Sequence, residues 1–182
     1  MNTIVPKNKS ARRRFMLVTV FALLTTGLLS ARPLSDDPPG NMSVNFSDAA
    51  PRKVEELTKR SVTRAYGRAW DSLATALSSN APELLDGYFT GTAKSTLTEA
   101  IASQKNLGIE CRYGRPVHKL EAVFYAPEGD VMELHDTVEL DLRVTADGKA
   151  IHEEHVTLHY VVLMTPAADR WLIRQLQGVS GF

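Results

Sequence analysis

The 182-residue chain has one cysteine, Cys111. That excludes an intrachain disulfide and any zinc site built from several thiolates. It has no net charge, because 21 basic residues face 21 acidic ones. A general nucleic-acid binder needs an excess of positive charge to displace counterions from phosphate, so nucleic acid is not expected as a partner. The chain lacks a Gly-rich phosphate loop, a Ser nucleophile elbow and a His-Glu-x-x-His zinc helix. The run His152-Glu153-Glu154-His155 has one residue too few for the last of these. It also falls in a stretch of strand character, where its two histidines point to opposite faces. Apolar residues at 43% and charged residues at 23% are ordinary for one folded domain plus a tail.

The first fifty residues read as an address. Residues 1–14 are basic, with Arg12, Arg13 and Arg14 next to the apolar stretch. Residues 15–31 carry no charge. As a helix they span about 26 Å, against a bilayer hydrocarbon core of about 30 Å. The length suits either a single-pass anchor or an export signal. Leu29 is a poor −3 residue for cleavage after Ala31, which favours the anchor. The arginines hold the N-terminus inside, so the rest of the chain is expected outside the cytoplasm. Arg12-Arg13-Arg14-Phe15-Met16 also resembles a twin-arginine motif, but an ordinary basic flank is the favoured reading, because short basic runs ahead of an export segment are common. Residues 32–50, rich in Pro, Ser, Asp and Asn, read as a flexible tether. Within them, Asn45-Phe46-Ser47 fits a glycosylation sequon.

Residues 51–79 have helical periodicity, with Val54, Leu57, Ser61, Ala65, Ala69, Leu73, Ala76 and Leu77 as the expected stripe. Ser47 or Asp48 is the expected cap, with Pro51 in the first turn. A short helix over 83–88 and a third over 93–107 follow. Leu97, Ile101 and Leu107 share a face of the third, and Gly108 ends it. Cys111 is expected just past that helix as a buried small hydrophobe.

After Tyr113 the period becomes two. Four strands are expected, over 116–126, 131–146, 150–165 and 170–177. Leu120, Ala122 and Phe124 form the inward row of the first. Met132, Leu134, Val138, Leu140, Leu142 and Val144 form that of the second. Asp147-Gly148-Lys149 reads as a three-residue hairpin loop, with Gly148 left-handed and Ala146 opposite Ala150. That register sets Leu140 against Val156, Val138 against Leu158, Asp136 against Tyr160 and Leu134 against Val162. It keeps both apolar rows on one face. The result is an α+β domain: three N-terminal helices on a curved, mainly antiparallel four-stranded sheet.

This element order, the helix holding Tyr66-Gly67-Arg68-Ala69-Trp70, and the final strand Arg170-Trp171-Leu172-Ile173 resemble the nuclear transport factor 2-like superfamily over about residues 52–178. The resemblance implies a cone-shaped fold with a pocket between helices and sheet. Relatives include SnoaL-like cyclases, ketosteroid isomerase and scytalone dehydratase. Non-enzymatic members include membrane-anchored periplasmic domains and the inter-membrane-space domain of a plastid-division protein. The basic flank, apolar segment and tether match the anchored members.

Enzymes of this fold keep polar groups on the inner sheet face. Asp136 interrupts the apolar row of its strand, Tyr160 lies opposite, and His118 lies on the diagonal. These three are the candidate catalytic residues: a carboxylate in an apolar pocket serves as acid or base, and a tyrosine holds an oxyanion. The same residues also fit a purely structural buried acid. No metal site is expected. His155 and His159 face one side but lie about 13 Å apart at about 3.3 Å per residue. No cofactor is expected. The leading functional expectation is a membrane-tethered, non-catalytic binding or assembly module at a bacterial inner membrane, its domain in the periplasm. It would meet a protein partner or a second copy through the sheet. The alternative is a pocket enzyme (isomerase, dehydratase or cyclase) or a carrier of a small apolar ligand.

Overall fold

A computed structural model describes residues 41–182. The basic flank, the apolar segment and the first part of the tether lie outside these residues. The element order is β1 (Met42–Asn45), β2 (Ala50–Pro51), α1 (Glu56–Ser79), a 3-10 turn (Pro82–Gly87), α2 (Gly91–Asn106), β3 (Ile109–Tyr125), β4 (Met132–Ala146), β5 (Lys149–Pro166) and β6 (Trp171–Val179). The domain is α+β with a mixed six-stranded sheet, not the expected four-stranded one. The two extra strands come from residues read as tether and first helical turn. β1 and β2 both run parallel to β3 along its free edge. Strands of four and two residues carry almost no periodic signal. Among the described residues no helix is long and apolar enough to cross a membrane.

Helix α1 starts five residues later than expected, and its buried face is rotated. Val62, Ala65, Tyr66, Ala69, Trp70, Leu73, Ala76 and Leu77 are buried, while Leu57 is 77% exposed. The early part of the expected stripe, from Val54 through Leu57 and Ser61, belongs to a phase the helix does not have. Val54 is buried before the helix begins. Asn80 closes α1 with φ of 53°, and its N–H donates to Ala76 O. Gln104 of α2 supplies a second closure, donating Nε2 to Leu77 O and, at 2.6 Å, to Asn80 Oδ1. Orphan carbonyls at a helix end are thus met by the next helix. On α2, Ile101 is buried, but Leu107 lies past the last turn and is exposed.

β3 begins at Ile109, so Cys111 sits within the strand and is only half-buried, where burial raises its thiol pKa. Two irregularities break its alternation. One lies between Gly114 and Val117, where Arg115 takes φ of 51°. The other lies between Ala122 and Phe124. It turns Phe124 outward and brings Tyr125 into the core, correcting the expected inward row. A bulge shifts every later side chain by one face.

The β4–β5 register agrees with expectation along most of its length. Leu140 faces Val156, Val138 faces Leu158, Asp136 faces Tyr160 and Leu134 faces Val162. The turn itself differs. Ala146 pairs with Lys149, so the loop has two residues, Asp147 and Gly148, with φ of 48° and 73°. Positive φ at both positions is the type I′ signature, which suits strand twist. The register then shifts by one between Val144 and Thr145. The extra residue the apolar rows require is therefore inserted in the strand, not in the loop.

Alanine substitution at two glycines separates backbone strain from crowding. A Cβ on Gly148 or on Gly87 meets nothing within 4 Å, and only Gly148 has positive φ. Gly148→Ala is expected to destabilise by about 1–2 kcal/mol, and Gly87→Ala to be neutral or slightly stabilising. Urea unfolding midpoints of the two variants check this; equal effects would contradict the turn assignment.

Candidate functional site

The inner sheet face is apolar except at one point. Asp136, in mid-β4, is 0% exposed and His118, in β3, is 2% exposed. The facing roof is α1, whose Tyr66 and Trp70 fall one helical step apart on its buried side. His118 Nδ1 lies 2.8 Å from Asp136 Oδ2. Tyr66 Oη donates to the same oxygen at 2.7 Å. With Tyr66 as one donor, the network assigns the other hydrogen to Nδ1 of His118. One carboxylate oxygen thus ties a helix and two strands together.

The structure brings His118 and Asp136 together, as the strand register implies. Tyr160 faces Asp136 across β4 and β5, but Tyr66, which sequence reasoning missed, is the tyrosine that bonds the carboxylate. The signal was in α1: Tyr66 belongs to the stripe through Val62, Ala69 and Leu73, hidden by choosing the phase of Leu57. Tyr160 instead packs its ring 5.9 Å from that of Trp70. Trp70 lies 4.5 Å from the His118 ring and 6.2 Å from that of Tyr113. These rings occupy the space beside the carboxylate.

Burial and the nearby Asp136 charge push the Tyr66 phenol well above its ordinary pKa. Burial also raises Tyr160, followed by the influence of Tyr113 and Asp136. Both phenols are therefore held neutral, as hydrogen-bond donors or packing groups. His118 Nε2 and Asp136 Oδ1 are buried with no hydrogen-bond partner among the described residues. In a general base, Nε2 would be the atom that meets a substrate. Here it is enclosed.

The outer face is wet and charged. His155 Nδ1 lies 2.9 Å from Asp141 Oδ1, and Arg115 donates to Asp141 Oδ2 at 2.6–2.7 Å. The bonds from His155 and then Arg115 hold Asp141 below the usual carboxylate range. Arg143 pairs with Glu153 at 2.9 Å, and His159 Nδ1 meets Thr137 Oγ1 at 3.1 Å. Arg115, Asp141, Arg143, Glu153, Glu154 and His155 line an open cleft of about 400 Å³. Among the described residues no group of three His, Cys, Asp or Glu side chains is placed to hold a metal ion.

No family model matches this chain, and no curated protein matches it. Among solved structures it is similar to the intermembrane space region of chloroplast protein ARC6. The TM-score is 0.57 at 13% identity, over 71% of this chain and 98% of that one. A putative scytalone dehydratase from Novosphingobium aromaticivorans gives a TM-score of 0.40 at 13% identity, over 64% of this chain and 83% of that one. A de novo beta sheet design protein gives 0.35 at 16% identity, over 65% and 87%. The first likeness is one of fold. A shared fold leaves function open, and a binding module and an enzyme both remain compatible with it.

Removing the Tyr66 hydroxyl tests the interior link. Tyr66→Phe is expected to cost about 1.5–3 kcal/mol near neutral pH, the range for a hydrogen bond to a charged group. The variant should also change the alkaline limb. Tyr66 is neutral in the folded state, whereas in the unfolded chain it ionises near its ordinary value of 10.0. Its contribution is therefore complete below that pH and declines above it. Stability of Tyr66→Phe should fall less steeply above pH 10 than that of the parent, as read from urea midpoints across pH. An unchanged slope would show that Tyr66 is not the buried phenol.

Proposed function

We propose that the chain is a membrane-tethered, exported binding or assembly module without catalysis, of the anchored type within the nuclear transport factor 2-like superfamily. One observation carries this reading: the inward polar cluster is sealed. Asp136 and His118 are 0% and 2% exposed, and Tyr66 and Trp70 close over them from α1. A carboxylate and an imidazole that no substrate can reach tie the roof to the sheet; they do not turn anything over. The sequence supports export through its arginine-flanked apolar segment, with the domain in the periplasm of a bacterium. Cleavage to a soluble periplasmic form is the second reading of that segment.

The partner surface on this reading is the outer sheet face, taken up by a protein or by a second copy. The free edge of β6 is the poorer choice. Thr90 N–H donates to Ile173 O at 2.9 Å, and Ile173 N–H donates to Tyr88 O at 2.8 Å. That edge is already part-filled. The outer face instead offers alternating charges around the Asp141 cleft, which suit a polar interface of mixed sign.

Two measurements test the proposal. Diethylpyrocarbonate should modify exposed His152 and His155 in the native chain and leave His118 untouched until global unfolding. Native-state modification of His118 would reopen the enzyme and carrier readings. In cells, the full chain should resist carbonate extraction and be cut by protease only once the outer compartment is opened. A soluble product beginning near Arg32 would defeat the anchor.

A further inference from the structure

The sheet is wider at one end than at the other. β6 pairs with β5 only from His159 to Pro166, yet β5 begins at Lys149. Residues 149–158 therefore pair with β4 on one side and, among the described residues, with no strand on the other. Residues 149–155 are all exposed. At about 3.4 Å per residue this open edge runs for about 34 Å. Its unpaired N–H and C=O groups are a template for another strand, and edges of this kind are ordinarily blunted by Pro, Lys, bulges or cover. Residues 149–158 contain no Pro, and their one Lys, Lys149, stands at the turn. The bulge lies at that end too, where the register shift leaves Ile151 with no residue opposite it on β4. From His152 to Leu158 the pairing with β4 is unbroken, so the edge there is regular.

Acid and base alternate along the regular part. On the outer face, Glu153 accepts from Arg143 at 2.9 Å, and His155 meets Asp141 at 2.9 Å. Each contact uses one atom of the edge residue, Oε1 of Glu153 and Nδ1 of His155, and keeps Oε2 or Nε2 for a second contact. Two rows thus reach the edge with opposite order. One ends on an acid backed by an arginine, the other on a histidine backed by an aspartate. On the inner face, His152 Nε2 lies 3.2 Å from Glu154 Oε2. An edge that carries both halves of an acid–base pair two residues apart is complementary to itself when turned end for end.

We propose that the open edge of β5 pairs antiparallel with the same edge of a second copy, about a two-fold axis at Glu154, so that one sheet runs through both protomers. A two-fold interface uses one patch twice, and strand addition supplies main-chain hydrogen bonds. In this register Glu153 faces the partner's His155, and His155 faces the partner's Glu153. Arg143, Glu153, the partner's His155 and the partner's Asp141 then form one outer row of alternating acid and base. His152 faces the partner's Val156. An axis one residue earlier runs the pairing into the bulge at Ile151, and an axis one residue later loses both acid–base pairs. The register has one cost: Glu154 meets the partner's Glu154, like charge on like. The proposal goes beyond the outer-face reading, because it rests on an edge and stands whatever the outer face meets and whether or not the chain is anchored.

The test is site-directed disulfide cross-linking of the full chain in neutral detergent, with Cys111→Ser so that an introduced cysteine is the sole thiol. Under copper-phenanthroline oxidation, Glu154→Cys is expected to form a linked dimer about tenfold or more faster than Glu139→Cys, because only the first is brought within disulfide reach of its own copy. Glu139 is exposed in mid-β4 on the outer face, so its thiol reports copies that meet face to face. His155→Glu sets acid against the partner's Glu153 and should slow linking at Glu154→Cys about fivefold or more. Glu154→Gln removes the like-charge contact at the axis. Without cross-linking, it should tighten the dimer about twofold to fivefold by sedimentation velocity. Faster linking at Glu139→Cys, or equally slow linking at both positions, overturns the edge pairing. A Glu154→Gln dimer no tighter than the parent overturns the axis at Glu154, and this variant keeps the test decisive if His155→Glu disturbs the fold.

Discussion

The fold turns on one carboxylate oxygen. Asp136 Oδ2 accepts from Tyr66 in α1 and from His118 in β3, and so links the roof to two adjacent strands at the centre of the sheet. Apolar packing alone would let α1 slide or rotate over a surface of Leu, Val and Met at little cost. A buried polar contact has one geometry, because an unmet donor or acceptor there is expensive. Taking Asp136 from water also costs free energy, so this link is better understood as fixing which packing forms than as the main source of stability. The aromatic rings of Trp70, Tyr113 and Tyr160 complete the enclosure around it.

That constraint was half legible in the sequence. Strand alternation exposed Asp136 as the one polar residue in an apolar row; the need to keep two rows on one face set Tyr160 opposite it, and the pairing of the first hairpin set His118 on the diagonal. The rows hold over many residues, so a wrong turn type did not disturb them: the inserted residue moved from the loop into β5 and the pairing beyond it was the same. Helix phase was less secure. Leu57 is a single large apolar residue near the start of α1, and it drew the stripe away from Val62 and Tyr66. The partner that bonds the carboxylate was lost with it. The bulge at Ala122–Phe124 was invisible for a related reason, since nothing in the local residue types marks where alternation breaks. β1 was hidden because its four residues borrow their order from the edge of β3.

The two faces of the sheet divide the labour. The inner face is closed by side chains, and its polar groups serve the fold. The outer face is open to water and carries the Asp141 cluster and the Arg143–Glu153 pair. His118 and Asp136 are buried on one side of the sheet, while charged groups of both signs lie on the other. The likeness to the intermembrane space region of chloroplast protein ARC6 is a likeness of scaffold, and the division of faces in this chain is what gives that scaffold a direction.

β1 gives the arrangement a mechanical consequence. It lies alongside β3 from Met42, opposite His118, to Asn45, opposite Glu121, and Asn41 O accepts from His118 N–H at 2.9 Å. A pull applied at Asn41 would enter the domain as shear along this short parallel pair. It is borne first by the backbone of the same histidine whose ring holds the central carboxylate. The edge pairing of β1 and the order of the interior meet at one residue.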